Sequence, residues 1–314
     1  MRVAALAGGV GGAKLVDGLA QLLAPDSLSV LVNTGDDFEY LGLQISPDLD
    51  TVCYTLADLA NPATGWGQSD ESWITFDTLA SIGGPDWFRL GDRDLATHFY
   101  RTDALKQGKS LSEITQALCR KWGVLHPVYP MSDDPVRTIV YTRDGEALGF
   151  QEYFVHQACQ PEVTGFEFVG VEGARTNAEA LAEIDAADLV ILAPSNPWVS
   201  IAPILAVPGY LEAIQRKPVV AVSPIVGGKA LKGPAAKMYR ELGVEPSATA
   251  VANHYRDFLT GFVFDTQDAA ELEKIQRWRI IPVVTDIIMK DRSDRTRLAE
   301  EVLAFGETVI NRSQ

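Results

Sequence analysis

The chain has 314 residues, 46% of them hydrophobic, and a net charge of −15. That is enough apolar material for one large α/β domain or two smaller ones. The acidic balance argues against a nucleic-acid-binding surface and against adhesion to an anionic membrane, since both want clustered Lys and Arg. No run approaches the roughly 18 apolar residues of a membrane span, and no signal peptide is expected, so the reading is a cytoplasmic protein.

The opening, MRVAALAGGVGGAKLVDGLA, organises the rest. Residues 2–7 form a short apolar run of strand length. Gly8, Gly9, Gly11 and Gly12 follow, and then residues 13–23 carry Leu15, Val16, Leu19, Leu22 and Leu23 on one helical face. Strand, glycine turn and helix place bare N–H groups and a positive helix end where an anion can bind. The alternative is a turn that only lets helix and strand pack closely. The dinucleotide fingerprint fails because Lys14 stands where its third glycine belongs, which weakens a nicotinamide-dependent oxidoreductase. The Walker A pattern fails as well, because Ala13 precedes Lys14 and Leu15 follows it.

Residues 28–33 are a second apolar strand, so the chain opens as a βαβ unit with its ligand edge at the strand ends. Asp36, Asp37, Asp48 and Asp50 fall near that edge. Packed acids repel unless solvated, protonated or bridged by a cation, and hard oxygen ligands suit Mg²⁺. Asp37 and Asp48 read as caps or solvated surface, Asp36 and Asp50 as metal ligands. A helix is expected over 51–60.

Residues 61–130 are rich in Trp and read as a helical insertion without strands, with helices over 69–79, 95–106 and 111–122. It would form a lid or pocket wall. Within it, Arg93 stands between two acids, as an anion or planar-ligand grip or as a salt-bridged cap. His98 reads as a structural histidine rather than a general base. Strands over 137–142 and 147–153 form a hairpin, with another short strand over 166–171. The second α/β half begins at Asn177. Strand 189–193 ends in Pro194-Ser195-Asn196-Pro197, a stiff loop with hydrogen-bonding groups for a base or phosphate. Strand 219–222 leads to Gly227, Gly228 and Lys229 and then to Lys232, Gly233 and Pro234, a second anion-friendly loop with two lysines. Helices over 178–185, 210–216, 252–259, 269–277 and 295–305 and strands over 261–265 and 281–284 complete the pattern. Cys53, Cys119 and Cys159 form no pair or metal motif and read as small hydrophobes. The fold class is a three-layer, Rossmann-like α/β sandwich with a largely parallel sheet, one domain over 1–314.

The motifs GGVGGAK, VNTGDD, SPDLDT, LGDRDLATH, PMSDDPV, APSNP and SPIVGGKALKGPA occur together and in order. In this combination the chain resembles the 2-phospho-L-lactate transferase (CofD-like) family of coenzyme F420 biosynthesis, nearly end to end. The resemblance implies transfer of a phosphate-linked three-carbon acid, 2-phospholactate or phosphoenolpyruvate, from a guanosine diphosphate donor to the deazaflavin Fo. GMP leaves, (dehydro-)coenzyme F420-0 forms, and Mg²⁺ is required. It further implies Asp36 and Asp50 as catalytic, metal-side carboxylates, with Asp50 and Arg93 at the deazaflavin. Gly8, Gly9, Gly11, Gly12, Ser195, Asn196, Gly227, Gly228 and Lys229 become nucleotide contacts, and the chain a homodimer. A related branch of CofD-like proteins is regulatory and binds nucleotide sugars; SPDLDT and LGDRDLATH favour the transferase.

Overall fold

The computed structural model describes residues 1–313. Its first strands are β1 Val3–Ala7, β2 Leu28–Val32, β3 Phe38–Tyr40, β4 Leu43–Ile45 and β5 Val128–Pro130. Next come β6 Arg137–Thr142, β7 Ala147–Gly149, β8 Val163–Val169 and β9 Leu189–Leu192. The last are β10 Val219–Val222, β11 Ile225–Val226, β12 Lys229–Ala230, β13 Gly261–Asp265 and β14 Ile281–Thr285. Seven of them form one sheet in the order β14-β13-β10-β9-β1-β2-β5, and every neighbouring pair is parallel.

Because parallel strands covered on both faces bury successive side chains on opposite sides, their sequences read as continuous apolar runs. In β1, Ala4 and Leu6 join one core, with Ile184, Tyr210 and Val251 from helices on that side. Val3, Ala5 and Ala7 join the other core. That second core is closed by helices α1 Gly9–Leu22 and α2 Pro47–Leu56 and by the C-terminal helix Arg292–Ser313. These are the three expected layers. Gly18 lets α1 and the C-terminal helix meet: a Cβ there would stand 2.2 Å from the Arg295 carbonyl oxygen.

From β1 the chain proceeds outward through β2 to β5, and the second half proceeds the other way through β9, β10, β13 and β14. The boundary between β1 and β9 is therefore the switch point, where loops after adjacent strands diverge and leave a crevice.

Several local expectations shift. The segment 61–130 does hold helices α3 Ile74–Ser81, α4 Asp92–Lys106 and α5 Leu111–Lys121. It is not free of strands, however, since β5 pairs with β2 and forms the sheet's edge. Three residues are too few for an alternating pattern to show. A second unexpected pairing is the β3–β4 hairpin, closed by Leu41 and Gly42, both at positive φ. The strand expected over 147–153 stops at Gly149 and gives way to a π-helical turn, Glu152–His156. The helix expected over 252–259 lies at Ala248–His254, because Ser247 accepts from the Ala250 N–H and caps it earlier. Cys53 and Cys119, far apart in sequence, meet in the core with sulfurs 3.5 Å apart. Among the described residues no helix is long and apolar enough to cross a membrane.

Candidate active site

The glycine segment is tighter than a loop. Helix α1 begins at Gly9, four residues before the first expected helical position. Gly9 sits at φ +65°, a left-handed conformation that glycine adopts without penalty. Gly8, Gly11 and Gly12 lack side chains because neighbours occupy that space. A Cβ on Gly8 would stand 2.6 Å from Asp48 Oδ2, one on Gly11 2.4 Å from the Pro194 carbonyl oxygen, and one on Gly12 2.5 Å from Ser195 Oγ. The loop after β9 thus lies directly on the first turn of α1. Ser195 fastens the crossing: its hydroxyl accepts from the Gly8 N–H at 3.1 Å and donates to the Gly8 carbonyl at 2.9 Å. Asn196 accepts from the Trp198 N–H at 3.0 Å and caps the following turn.

Above this crossing opens a cleft of about 780 Å³. Gly8, Gly9, Gly11, Ser195 and Asn196 line it, whereas Gly12 is absent from the lining. The helical insertion supplies the opposite wall, with Trp66, Phe88 and Arg89 among its contributions. Lys232 bridges the two walls, donating to the Thr64 carbonyl at 2.8 Å. Lys14 also lines the cleft and donates to the Met289 carbonyl at 2.6 Å; burial, then Arg295 and Lys232, lower its pKa.

All four aspartates of the sequence pattern are buried. This corrects the assignment of Asp37 and Asp48 to caps or solvated surface. Asp48 accepts from the Asn33 side chain at 2.9 Å, and Asp37 accepts from the Ser46 hydroxyl at 2.7 Å. Burial pushes Asp37 up to about 7 and Asp48 up to about 6. Burial, and then the neighbouring charge of Asp48, push Asp36 well above the usual carboxylate range. Asp36 Oδ1 has no hydrogen-bond partner. Neither Asp36 nor Asp48 has an ion-pair partner among the described residues.

Asp50 belongs to a different constellation. Arg101, 1% exposed, closes on both its oxygens, with Nη1 to Oδ2 at 3.0 Å and Nη2 to Oδ1. Arg101 Nη1 also lies 3.2 Å from His98 Nδ1. A guanidinium can only donate, so Nδ1 accepts and a neutral His98 carries its proton on Nε2, 3.5 Å from Asp94 Oδ1. Tyr54 donates to the same Asp94 oxygen at 2.7 Å. Burial raises Asp50 and Arg101 opposes it; burial likewise works against Arg101, and Asp50 more than restores its charge. Ligand atoms of Asp50, Asp94 and His98 lie within 4.8 Å of one another, but the cation this group holds is Arg101. His98 is held by these neighbours and also lines the cleft.

Four expected contact residues, Arg93 and the 227–229 segment, are absent from the cleft lining. Arg93 is exposed and donates to the Ser69 carbonyl at 3.2 Å. It takes no part in the lining, where Arg89 stands instead, its guanidinium 4.5 Å above the Trp73 ring. Gly227, Gly228 and Lys229 turn the β11–β12 hairpin away from the cleft. The Gly227 N–H is bonded to the Asp268 carboxylate, and Lys229 is exposed. The later part of that loop, Lys232, Gly233 and Pro234, does line the cleft. The sequence motifs give no role to Arg101 or Asp94, although Asp94, His98 and Arg101 recur at i, i+4 and i+7, the spacing of one helix face.

A family model described as 2-phospho-L-lactate transferase CofD matches residues 3–303. The chain belongs to this family. Similar proteins include a phosphoenolpyruvate transferase of Streptomyces griseus subsp. griseus, 43% identical over 316 residues, covering 98% of this chain and 99% of that protein. A 2-phospho-L-lactate transferase of Methanopyrus kandleri is 40% identical over 314 residues, covering 99% of both. A solved structure of a UPF0052-family protein from Bacillus halodurans shares the fold with a TM-score of 0.63, at 14% identity and over 96% of this chain and 98% of that one. As a CofD-family chain the protein is a transferase, and the cleft at its switch point is the candidate active site.

Proposed function

We propose that the protein transfers a phospho-three-carbon acid, 2-phospholactate or phosphoenolpyruvate, from a guanosine diphosphate-linked donor to a ribityl hydroxyl of the deazaflavin Fo. In this reaction the hydroxyl oxygen forms a new bond to the phosphorus that carries the acid. The bond from that phosphorus to GMP breaks, the hydroxyl proton is released, and (dehydro-)coenzyme F420-0 is the product. The observation that carries the reading is the cleft, where a helix N-terminus, Lys14 and Lys232 meet buried carboxylates beneath an aromatic wall. Family membership and the names of the relatives support the same chemistry.

Attack on an already anionic phosphorus is governed by charge neutralisation and positioning. The start of α1 and the lysines suit a diphosphate. Asp50, held by Arg101, suits a role orienting the acceptor hydroxyl. Phe88, Trp66 and the stacked guanidinium of Arg89 suit a flat ring. The partnerless Asp36 Oδ1, buried beside a second carboxylate with no protein cation on either, fits a divalent cation. Mg²⁺ held by Asp36 would neutralise diphosphate charge and sharpen the leaving ability of GMP. We read the enzyme as a cytoplasmic homodimer, a state that light scattering on the purified protein checks.

The test is mass spectrometry of the protein with Fo, Mg²⁺ and each guanosine-linked donor in turn: 2-phospholactate, phosphoenolpyruvate and a phosphoglycerate. Product with GMP release, lost in chelator, supports the transferase and names the acid. No product from any donor, together with no binding of Fo, replaces this reading with the nucleotide-sugar-binding regulator.

A further inference from the structure

We infer that Asp48, rather than Asp50, is the second protein carboxylate of the divalent-cation site built around Asp36. The inference rests on the proposed Mg²⁺-dependent transfer and specifies its metal ligands.

The two carboxylates nearest in chain position to the expectation are chemically unlike. Asp50 has both oxygens closed by Arg101, and His98 Nδ1 stands 3.7 Å from Oδ2. A divalent ion binding there would have to share that carboxylate with a buried guanidinium, and like charges in a dry site repel strongly. Asp48 has no such neighbour. Its carboxylate takes hydrogen bonds from the Asn33 side chain and the Gly9 backbone but has no cation, and its charge is the strongest one acting on Asp36.

Burial gives the independent indication of a missing partner. Asp36 is only 4% exposed, yet its Oδ1 lacks any hydrogen-bond partner, and both acids line the cleft. Unpaired buried carboxylate oxygens are expensive. The unpaired Asp36 Oδ1 beside the Asp48 carboxylate, with no protein cation on either, leaves a shared proton or a bound cation as the compensation.

Position then selects the ligand. Asp48 lies against the start of α1: Oδ2 would be 2.6 Å from a Cβ on Gly8 and Oδ1 3.5 Å from one on Gly9. A cation on Asp36 and Asp48 would sit beside the helix N-terminus, the place best suited to the donor's diphosphate. Mg²⁺ characteristically takes one or two carboxylates plus substrate phosphates. Sequence order supports the division of labour. Asp48 and Asp50 both lie in the first turn of α2, and residues two apart on a helix point to different sides. One serves the Asn33–Asp36 side and the other the Arg101 side.

The experiment is Mn²⁺ titration of the free protein, followed by electron paramagnetic resonance, for wild type, Asp36→Asn, Asp48→Asn and Asp50→Asn. Wild type should bind Mn²⁺. Asp36→Asn and Asp48→Asn should weaken it by at least about 10-fold, while Asp50→Asn should bind as wild type does. Asp48→Asn binding like wild type, or loss confined to Asp50→Asn, overturns the assignment. Crystals of wild-type protein soaked in Mn²⁺ guard against a variant that fails to fold. An anomalous peak shared by the Asp36 and Asp48 carboxylates supports the inference, and a peak ligated by Asp50 without Asp48 overturns it. Because the titration needs neither Fo nor donor, a protein can fail here and still make product in the transfer assay, so the two readings fail separately.

Discussion

Replacing Arg101 by Met removes the guanidinium that closes both oxygens of Asp50 and leaves a shape-compatible apolar chain in its place. Arg101 is 1% exposed and Asp50 6% exposed, so no solvent stands ready to replace it. Breaking a buried pair by deleting one partner costs about 3–5 kcal/mol. For a chain of this size, at about 2 °C per kcal/mol, the melting temperature should fall by about 6–10 °C. The deficit has a pH signature. Burial already raises Asp50 above its ordinary value; without Arg101 it rises further. A carboxyl raised on folding contributes stability below its unfolded pKa that is lost as pH rises through its folded pKa. Arg101→Met should therefore be most deficient at alkaline pH and recover on acidification. Adding Asp50→Asn should restore part of the loss, because the uncompensated charge is gone. Differential scanning calorimetry across pH reads all three. A variant melting within about 2 °C of wild type, or a deficit that grows on acidification, would refute the reasoning.

Four further outcomes are expected. In chelator, wild-type melting temperature should fall between about pH 5 and pH 8, because Asp48 and Asp37 are raised to about 6 and about 7 by burial. Their stabilising contribution is complete below about pH 4 and lost through those two values. Mg²⁺ should raise the melting temperature more at the alkaline end than at the acid end, and calorimetry with and without it checks this. Gly11→Ala drives a Cβ to 2.4 Å from the Pro194 carbonyl oxygen. It should cost about 1–3 kcal/mol despite the better helix propensity of Ala, and it should depress kcat/KM as the 194–196 loop shifts. Arg93→Ala should leave the KM for Fo within about twofold, and a clear rise would return Arg93 to the site. Asp50→Asn in wild-type background should melt lower, because it leaves Arg101 buried without its carboxylate, and should lose most Mg²⁺-dependent turnover in protein that is still folded; wild-type activity in that variant would remove Asp50 from the chemistry.

Whatever depends on local periodicity and order is legible in the chain alone. The apolar runs of β1, β2, β9 and β10 announce a covered parallel sheet because both faces of such strands are buried. The break after β1, with its four glycines, announces the ligand edge. The motifs in order named the family. Tertiary structure alone decided the partners. Asp48 and Asp50 lie two residues apart, yet one faces Asn33 and the other Arg101, 51 residues away. No local pattern distinguishes a carboxylate that a distant helix neutralises from one that is left without a cation. Likewise the 194–195 segment, more than 180 residues away, occupies the space that side chains on Gly11 and Gly12 would take, while Gly11 still lines the cleft and Gly12 does not. Arg93 and Lys229 carry the right charge for anions and point elsewhere, because where a side chain faces depends on the packing of whole elements. Composition and spacing supply the groups; burial and long-range contacts assign their charges and their uses.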